Sequence, residues 1–116
     1  MITVPLQTKY LANANYTLKL DRYIVNWTPS IGLINALGQV GMTVTICLSE
    51  KHLTPAPDCC FVKNWGENEG IMEAMEAAGL LIDTGYAVRV GREFARQAKM
   101  NETLRHEFSK LKGSLI

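Results

Sequence analysis

The heptapeptide MTVTICL, residues 42–48, carries the clearest strand signal in the chain. Apolar and polar side chains alternate along it, and a period of two is typical of a strand with one buried face. Valine, isoleucine and threonine are also the residue types that favour strands. We therefore predict a strand over residues 42–48.

Further strand signals lie on both sides of this segment. An alternation of apolar and polar residues starts at Tyr16 and slips near Asp21, which fits either a β-bulge or a break between two strands. Residues 38–41, with two glycines, resemble a hairpin connection. The predicted strands are residues 16–27 with or without that break, the short apolar run 31–37, and residues 42–48, 59–63 and 86–90.

Two helices are predicted as well. Asn64 can cap the first helix, Glu67 can close a capping box three residues later, and Gly79 stands where a glycine commonly ends a helix. From about Arg92 the pattern turns helical again. The apolar stripe of this second predicted helix consists of Phe94, Ala98, Leu104, Phe108 and Leu111.

The predicted fold class is α+β. We expect a mostly antiparallel sheet of four to five strands, with one helix before the last strand and a C-terminal helix. The length of 116 residues fits a single core. Within it we expect a core over residues 1–91 and a C-terminal helical extension over residues 92–116, packed on the core or at a dimer seam.

The dimer seam is suggested by a heptad spacing in the predicted second helix. Its a positions are Phe94, Asn101 and Phe108, and its d positions are Gln97, Leu104 and Leu111. A narrow stripe suits equally a helix that packs on its own sheet, and Gln97 weakens the seam. The sequence therefore favours intramolecular packing and a monomer over a homodimer.

Composition narrows the class of protein. Apolar residues make up 47% and charged residues 20%, which indicates a folded chain. Apolar stretches fall far short of the roughly 20 residues of a membrane span. The N-terminus does not have the pattern of a secretory signal, and three cysteines do not suggest a disulfide framework. We expect a cytoplasmic location and no membrane partner.

Charge is unevenly distributed along the chain. Residues 64–84 hold five acids and no lysine or arginine, whereas residues 85–116 hold seven bases and three acids. These blocks are either solvated helix faces of opposite sign or a bipolar surface that steers a partner. On the second interpretation the candidate partner-binding residues are Glu67, Glu69, Glu73, Glu76, Arg92, Arg96 and Lys99.

Signals for catalysis are weak. Asp83-Thr84-Gly85 is similar to the signature of retroviral-type aspartic proteases, but it lies too late in the chain for that fold. Cys59 and Cys60 are neighbours on a predicted strand and so point to opposite faces, which prevents joint metal binding. We predict no metal site and no cofactor. A cysteine or aspartic hydrolase is the least favoured function.

Three segments together resemble a known family. They are residues 41–48, residues 61–70 (FVKNWGENEG) and residues 77–85 (AAGLLIDTG). The pattern is similar to a family of small proteins with no assigned activity that are carried by bacterial mobile elements and phages. The resemblance covers roughly residues 16–91.

The resemblance implies a mobile-element setting, in which small proteins often inhibit host defence complexes. The favoured function is therefore that of a non-enzymatic, protein-binding accessory protein of a phage or mobile element, such as an inhibitor of a CRISPR-type nuclease complex. Its partner would be a host or phage protein complex. The alternative is a small nucleic-acid-associated regulator that uses the basic C-terminal helix.

Overall fold

The computed structural model describes residues 2–111. They form two antiparallel sheets and two helices, which confirms the α+β class with a C-terminal helix. In chain order the elements are β1 (Thr3–Leu6), β2 (Ala14–Arg22), β3 (Pro29–Ile34), β4 (Val40–Thr43), β5 (Cys59–Val62), α1 (Ile71–Ala77), β6 (Leu81–Val90), β7 (Glu93–Met100) and α2 (Glu102–Leu111).

The prediction of a single sheet is wrong, because the strands are divided between two sheets. The first sheet has the order β1-β2-β3-β4 and the second has the order β5-β7-β6. Consecutive strands pair in an antiparallel manner throughout the first sheet. In the second sheet, β7 lies between β5 and β6 and pairs with both.

Residues 42–48 connect the two sheets instead of forming one continuous strand. After β4 the chain leaves β3, and Thr45 forms an isolated bridge with Val62 of β5. The Ile46 amide then donates to the Phe61 carbonyl at 3.0 Å. Val44 consequently packs in the main core, while Ile46 packs against a second, smaller cluster. The two residues expected on one apolar face, Val44 and Ile46, are thus divided between two clusters, and Thr45 of the expected polar face is itself buried.

The helix predicted from about Arg92 is wrong for residues 93–100. This segment is β7, the central strand of the second sheet. Side chains on both faces of β7 are buried, Ala95 on one and Ala98 on the other. A strand covered on both faces loses its alternation, so spacing alone does not separate it from a helix.

The heptad seam is likewise not formed. Phe94 and Gln97 lie on β7, and the later members of the seam lie at or beyond the start of α2. Asn101 begins that helix, since its Oδ1 atom accepts a hydrogen bond from the Leu104 amide at 2.8 Å. Residues 112–116 of the expected extension lie outside the described residues.

Helix α2 packs on the core of its own chain. Leu104 and Phe108 are 0% and 1% exposed and belong to the main cluster. This cluster also includes inward-facing residues of both sheets and of α1, among them Leu18, Leu33, Val62, Ile71, Met75 and Ala98. Within the described residues, no helix is both long and apolar enough to cross a membrane.

The first helix begins later than expected, at Ile71, after a short 3₁₀ turn at Gly66–Asn68. Asn64 nevertheless caps it from a distance, because its Oδ1 atom accepts the Met72 amide at 2.9 Å. The capping box is not formed, and Glu67 instead contacts Lys63. Gly79 follows the helix with φ of 74°, the left-handed conformation that glycine adopts without a Cβ clash.

Candidate functional site

The four candidate acids all have partners within the chain. Glu67 pairs with Lys63 at 3.4 Å, and Glu69 pairs with Lys9 at 3.7 Å. Both pairs are solvent-exposed, so each contributes little to stability. Glu76 accepts the backbone amide of Asp83 at 3.3 Å. The acidic block is therefore partly neutralised within the fold.

Glu73 and Arg96, which come from the two opposite charge blocks, meet directly. Arg96 Nη1 lies 3.2 Å from Glu73 Oε1, while Arg96 Nε donates to Asp83 Oδ2 at 2.8 Å. One guanidinium thus joins α1, β6 and β7. Its exposed fraction is 32%, against 23% for Asp83. This ion cluster of Glu73, Asp83 and Arg96 holds elements together, and its charges are already matched.

The ion cluster shifts the pKa values of its members. Burial opposes ionisation of Asp83, but hydrogen bonds from the Gly85 amide and from Arg96 outweigh it and hold the pKa of Asp83 below its ordinary value. The pKa of Glu73 is lowered too, because its own amide and Arg96 together outweigh its partial burial. The bond from Asp83 raises the pKa of Arg96. All three groups are charged at neutral pH.

The other two candidate bases are exposed but not on one helix. Arg92 lies in the two-residue turn between β6 and β7, and Lys99 lies on β7. Arg96 and Lys99 are three residues apart on a strand, so they face opposite sides of the sheet. The helical stripe of bases on which the nucleic-acid hypothesis rests is therefore not formed.

Asp83-Thr84-Gly85 serves local geometry in β6. The pairing of β6 with β7 is irregular between Asp83 and Ala87, and the motif lies in this irregular stretch. Asp83 Oδ1 accepts the Gly85 amide at 2.9 Å, and Thr84 Oγ1 donates to the Gln97 carbonyl at 3.0 Å. Gly85 has φ of 85°. The motif thus lies at an interruption within one long strand.

Cys59 and Cys60 are buried, unlike reactive thiols, whereas Cys47 is half-buried. Cys59 is 6% and Cys60 0% exposed. Burial raises the pKa of Cys60 to about 12, and burial together with the charge of Asp58 raises the pKa of Cys59. A thiol with a raised pKa forms little of the nucleophilic thiolate. Across residues 2–111, no three metal-ligating side chains cluster closely enough to hold an ion.

A concave surface lies along the open edge of β4. It is a groove of about 680 Å³, hereafter the β4 groove. Since β4 ends the strand order of its sheet, one of its two edges carries no paired strand among the described residues. Val40, on β4, is 53% exposed. Trp65, Ile46 and Lys63 also line the groove, together with the candidate residue Glu67.

A buried asparagine shapes one end of the β4 groove. Asn68 is 2% exposed, and its Nδ2 atom donates to the Thr43 carbonyl at 2.6 Å. That carbonyl therefore points away from β3, and the side chain of Asn68 covers it. The edge remains open over Val40–Met42, where Gly41 has no partner in the register with β3.

Sequence reasoning missed the residues that form this groove. The sequence holds only weak signals for this groove. Trp65 is an aromatic residue in a polar stretch, and Asn68 lies where a capping box was expected. The groove itself depends on β4 pairing on one side only, which is a tertiary property. Of the seven candidate residues, only Glu67 lines the β4 groove.

The fold and this surface define an α+β protein with two antiparallel sheets and an unpaired strand edge. Comparisons with protein-family models, with curated proteins and with solved structures gave no match.

Proposed function

We propose that this chain is a non-enzymatic protein-binding protein that takes an extended segment of its partner as an additional strand on β4. The observation that carries the proposal is the β4 groove of about 680 Å³ beside an unpaired strand edge. An unpaired edge presents backbone N–H and C=O groups that a second chain can pair with.

The sequence of β4 lacks the usual protection of an edge. Charged side chains and proline commonly block pairing at exposed edges, and VGMT contains neither. The bulge at Gly41 is the one irregularity that opposes regular pairing. Because Asn68 covers the Thr43 carbonyl, we expect the added strand to pair over Val40–Met42, a short stretch.

Side chains around the edge supply the remaining affinity. Trp65 and Ile46 offer apolar contact, and tryptophan is among the residues that most often dominate binding energy. Lys63 and Glu67, which carry opposite charges, line the same groove. A segment with an apolar residue for Trp65 and a polar or charged neighbour fits this lining.

The biological setting of the proposal comes from the resemblance to mobile-element proteins. We propose that the partner is a protein of a host defence complex of the CRISPR-type nuclease class. An inhibitor of such a complex acts by occupying a surface, so binding alone suffices for this role. The groove supports the binding, and the resemblance supports the setting.

The experiment selects binding peptides from a displayed library of random, unstructured 12-residue sequences. We expect enriched peptides with alternating apolar and polar residues that bind the wild-type protein. Val40→Glu should weaken binding at least about tenfold, since an unmatched carboxylate at the edge opposes pairing. Ile24→Glu is the matched control, because Ile24 is 94% exposed and outside the groove. Peptides that bind Val40→Glu as well as wild type would contradict the proposal.

A further inference from the structure

A second cleft lies between the turn that links β2 to β3, the loop before β5, and α2. Its volume is about 290 Å³. Its walls are polar and apolar in equal measure, and the apolar side chains include Pro29, Pro55, Met100 and Phe108. Two arginines, Arg22 and Arg105, line it as well. We call it the α2 cleft.

Arg22 is desolvated in the α2 cleft without a carboxylate partner among the described residues. Its Nη1 atom donates to the Trp27 carbonyl at 3.0 Å and its Nη2 atom to the Phe108 carbonyl at 3.1 Å. The guanidinium carbon lies 5.4 Å from the centroid of the Phe108 ring. Burial lowers the pKa of Arg22. The positive charge of Arg22 is therefore compensated only in part, by two carbonyl dipoles and by the face of the Phe108 ring.

Two buried donors at the α2 cleft have no acceptor within residues 2–111. They are Arg22 Nε and the indole Nε1 of Trp27. A buried donor without an acceptor is costly, and native structures hold few of them. Both atoms lie below the cleft surface.

Two residues that line the same cleft have a strained backbone. Trp27 has φ of 60° and Asp58 has φ of 65°, the left-handed region that non-glycine residues seldom occupy. Such strain concentrates at functional sites. Asp58 also forms a long ion pair of 3.8 Å with Arg105. A ligand carboxylate can replace Asp58 at this arginine with a shorter contact.

We propose that the α2 cleft binds a small organic acid, with its carboxylate between Arg22 and Arg105 and its apolar body against the proline-lined wall. Arg22 and Arg105 both line the cleft, and a guanidinium can pair with a carboxylate through two parallel N–H donors. The apolar side chains of the lining can contact the uncharged body of the acid, and the volume of about 290 Å³ limits that body to a small one. The site is separate from the β4 groove and independent of the function proposed for it.

The test is a titration followed by NMR, with benzoate as the probe and neutral benzamide of the same shape as its comparison. The chain has two tryptophans, so Trp65 in the β4 groove is an internal control for Trp27. We expect benzoate to move the Trp27 indole signal saturably, with a dissociation constant on the order of 1 mM or below, and to leave the Trp65 signal in place. Benzamide should bind at least about tenfold more weakly.

Two variants test the assigned residues. Arg105→Gln, which keeps the helix, should lower benzoate affinity about tenfold as measured by backbone amide shifts. Arg92→Gln, in the β6–β7 turn, is the matched control and should bind benzoate like wild type. The proposal is overturned if neither indole signal moves, if benzamide binds as well as benzoate, or if both arginine variants behave alike.

Discussion

Single side chains hold together parts of this protein that lie far apart in sequence. Arg96 of β7 binds Glu73 of α1 and Asp83 of β6, and Arg22 of β2 binds the Phe108 carbonyl of α2. Both arginines act through several donors at once, which lysine cannot reproduce. The charge asymmetry visible in the sequence is therefore resolved in part inside the molecule, at the ion cluster.

Replacing Arg96 tests the ion cluster. Arg96→Gln should lower the free energy of unfolding at pH 7 by about 1–2 kcal/mol, because two carboxylates lose a shared donor near the surface. Arg92→Gln, which removes the same charge from an exposed turn, should change the free energy by less than about 0.5 kcal/mol. Urea denaturation measures both. Equal losses in the two variants would show that the cluster contributes nothing specific.

The same variant should change the dependence of stability on pH. Asp83 and Glu73 have pKa values held below their ordinary values of 3.8 and 4.5. Their contribution is therefore complete above about pH 4.5 and is lost as the pH falls through the lowered values. Wild type should lose more stability than Arg96→Gln between pH 6 and pH 3. Parallel profiles of the two proteins would contradict this account.

At the scale of secondary-structure elements, the sequence predicted some strands and helices correctly and others not. The α+β class, the segment of β5 and the glycine after α1 were predicted correctly, since each carries a local signal, whereas the hairpin connection expected at residues 38–41 lies at residues 35–39. β7 was not, because burial on both faces removes the alternation that marks a strand. The division into two sheets depends on a change of pairing partner after β4, from β3 to the bridge between Thr45 and β5, for which the sequence offers no local marker.

The remote cap of α1 is an element-level prediction. Asn64→Ala removes the acceptor for the Met72 amide and should cost about 1 kcal/mol of stability. Asn64→Asp keeps an oxygen at that position and should lose much less, since a carboxylate also caps a helix N-terminus. Thermal denaturation distinguishes them. An Asn64→Asp variant as unstable as Asn64→Ala would show that the amide group matters for another reason.

At the scale of the whole molecule, α2 completes the main core. Leu104 and Phe108 pack against residues of both sheets, which makes the helix part of the domain rather than an appendage. This arrangement explains why the apolar stripe is present without a coiled-coil seam. The β4 groove and the α2 cleft lie on different elements, so each can be altered without the other.

Truncation tests the role of α2. Ending the chain after Met100 should expose the surface that Leu104 and Phe108 cover, lower the melting temperature and increase binding of a hydrophobic dye. Phe108→Ala should cost about 3–5 kcal/mol by itself. A truncated chain that melts like the full-length protein and has changed only from dimer to monomer would instead support a seam between subunits.

The central claim, that β4 accepts a strand from a partner, is tested most directly by amide hydrogen exchange with and without a selected peptide. The claim predicts slower exchange in residues 40–43 when the peptide is bound, because edge amides acquire acceptors, and unchanged exchange along β6, an edge strand of the second sheet. Binding of the peptide with no added protection in residues 40–43, or with protection confined to β6, would contradict it.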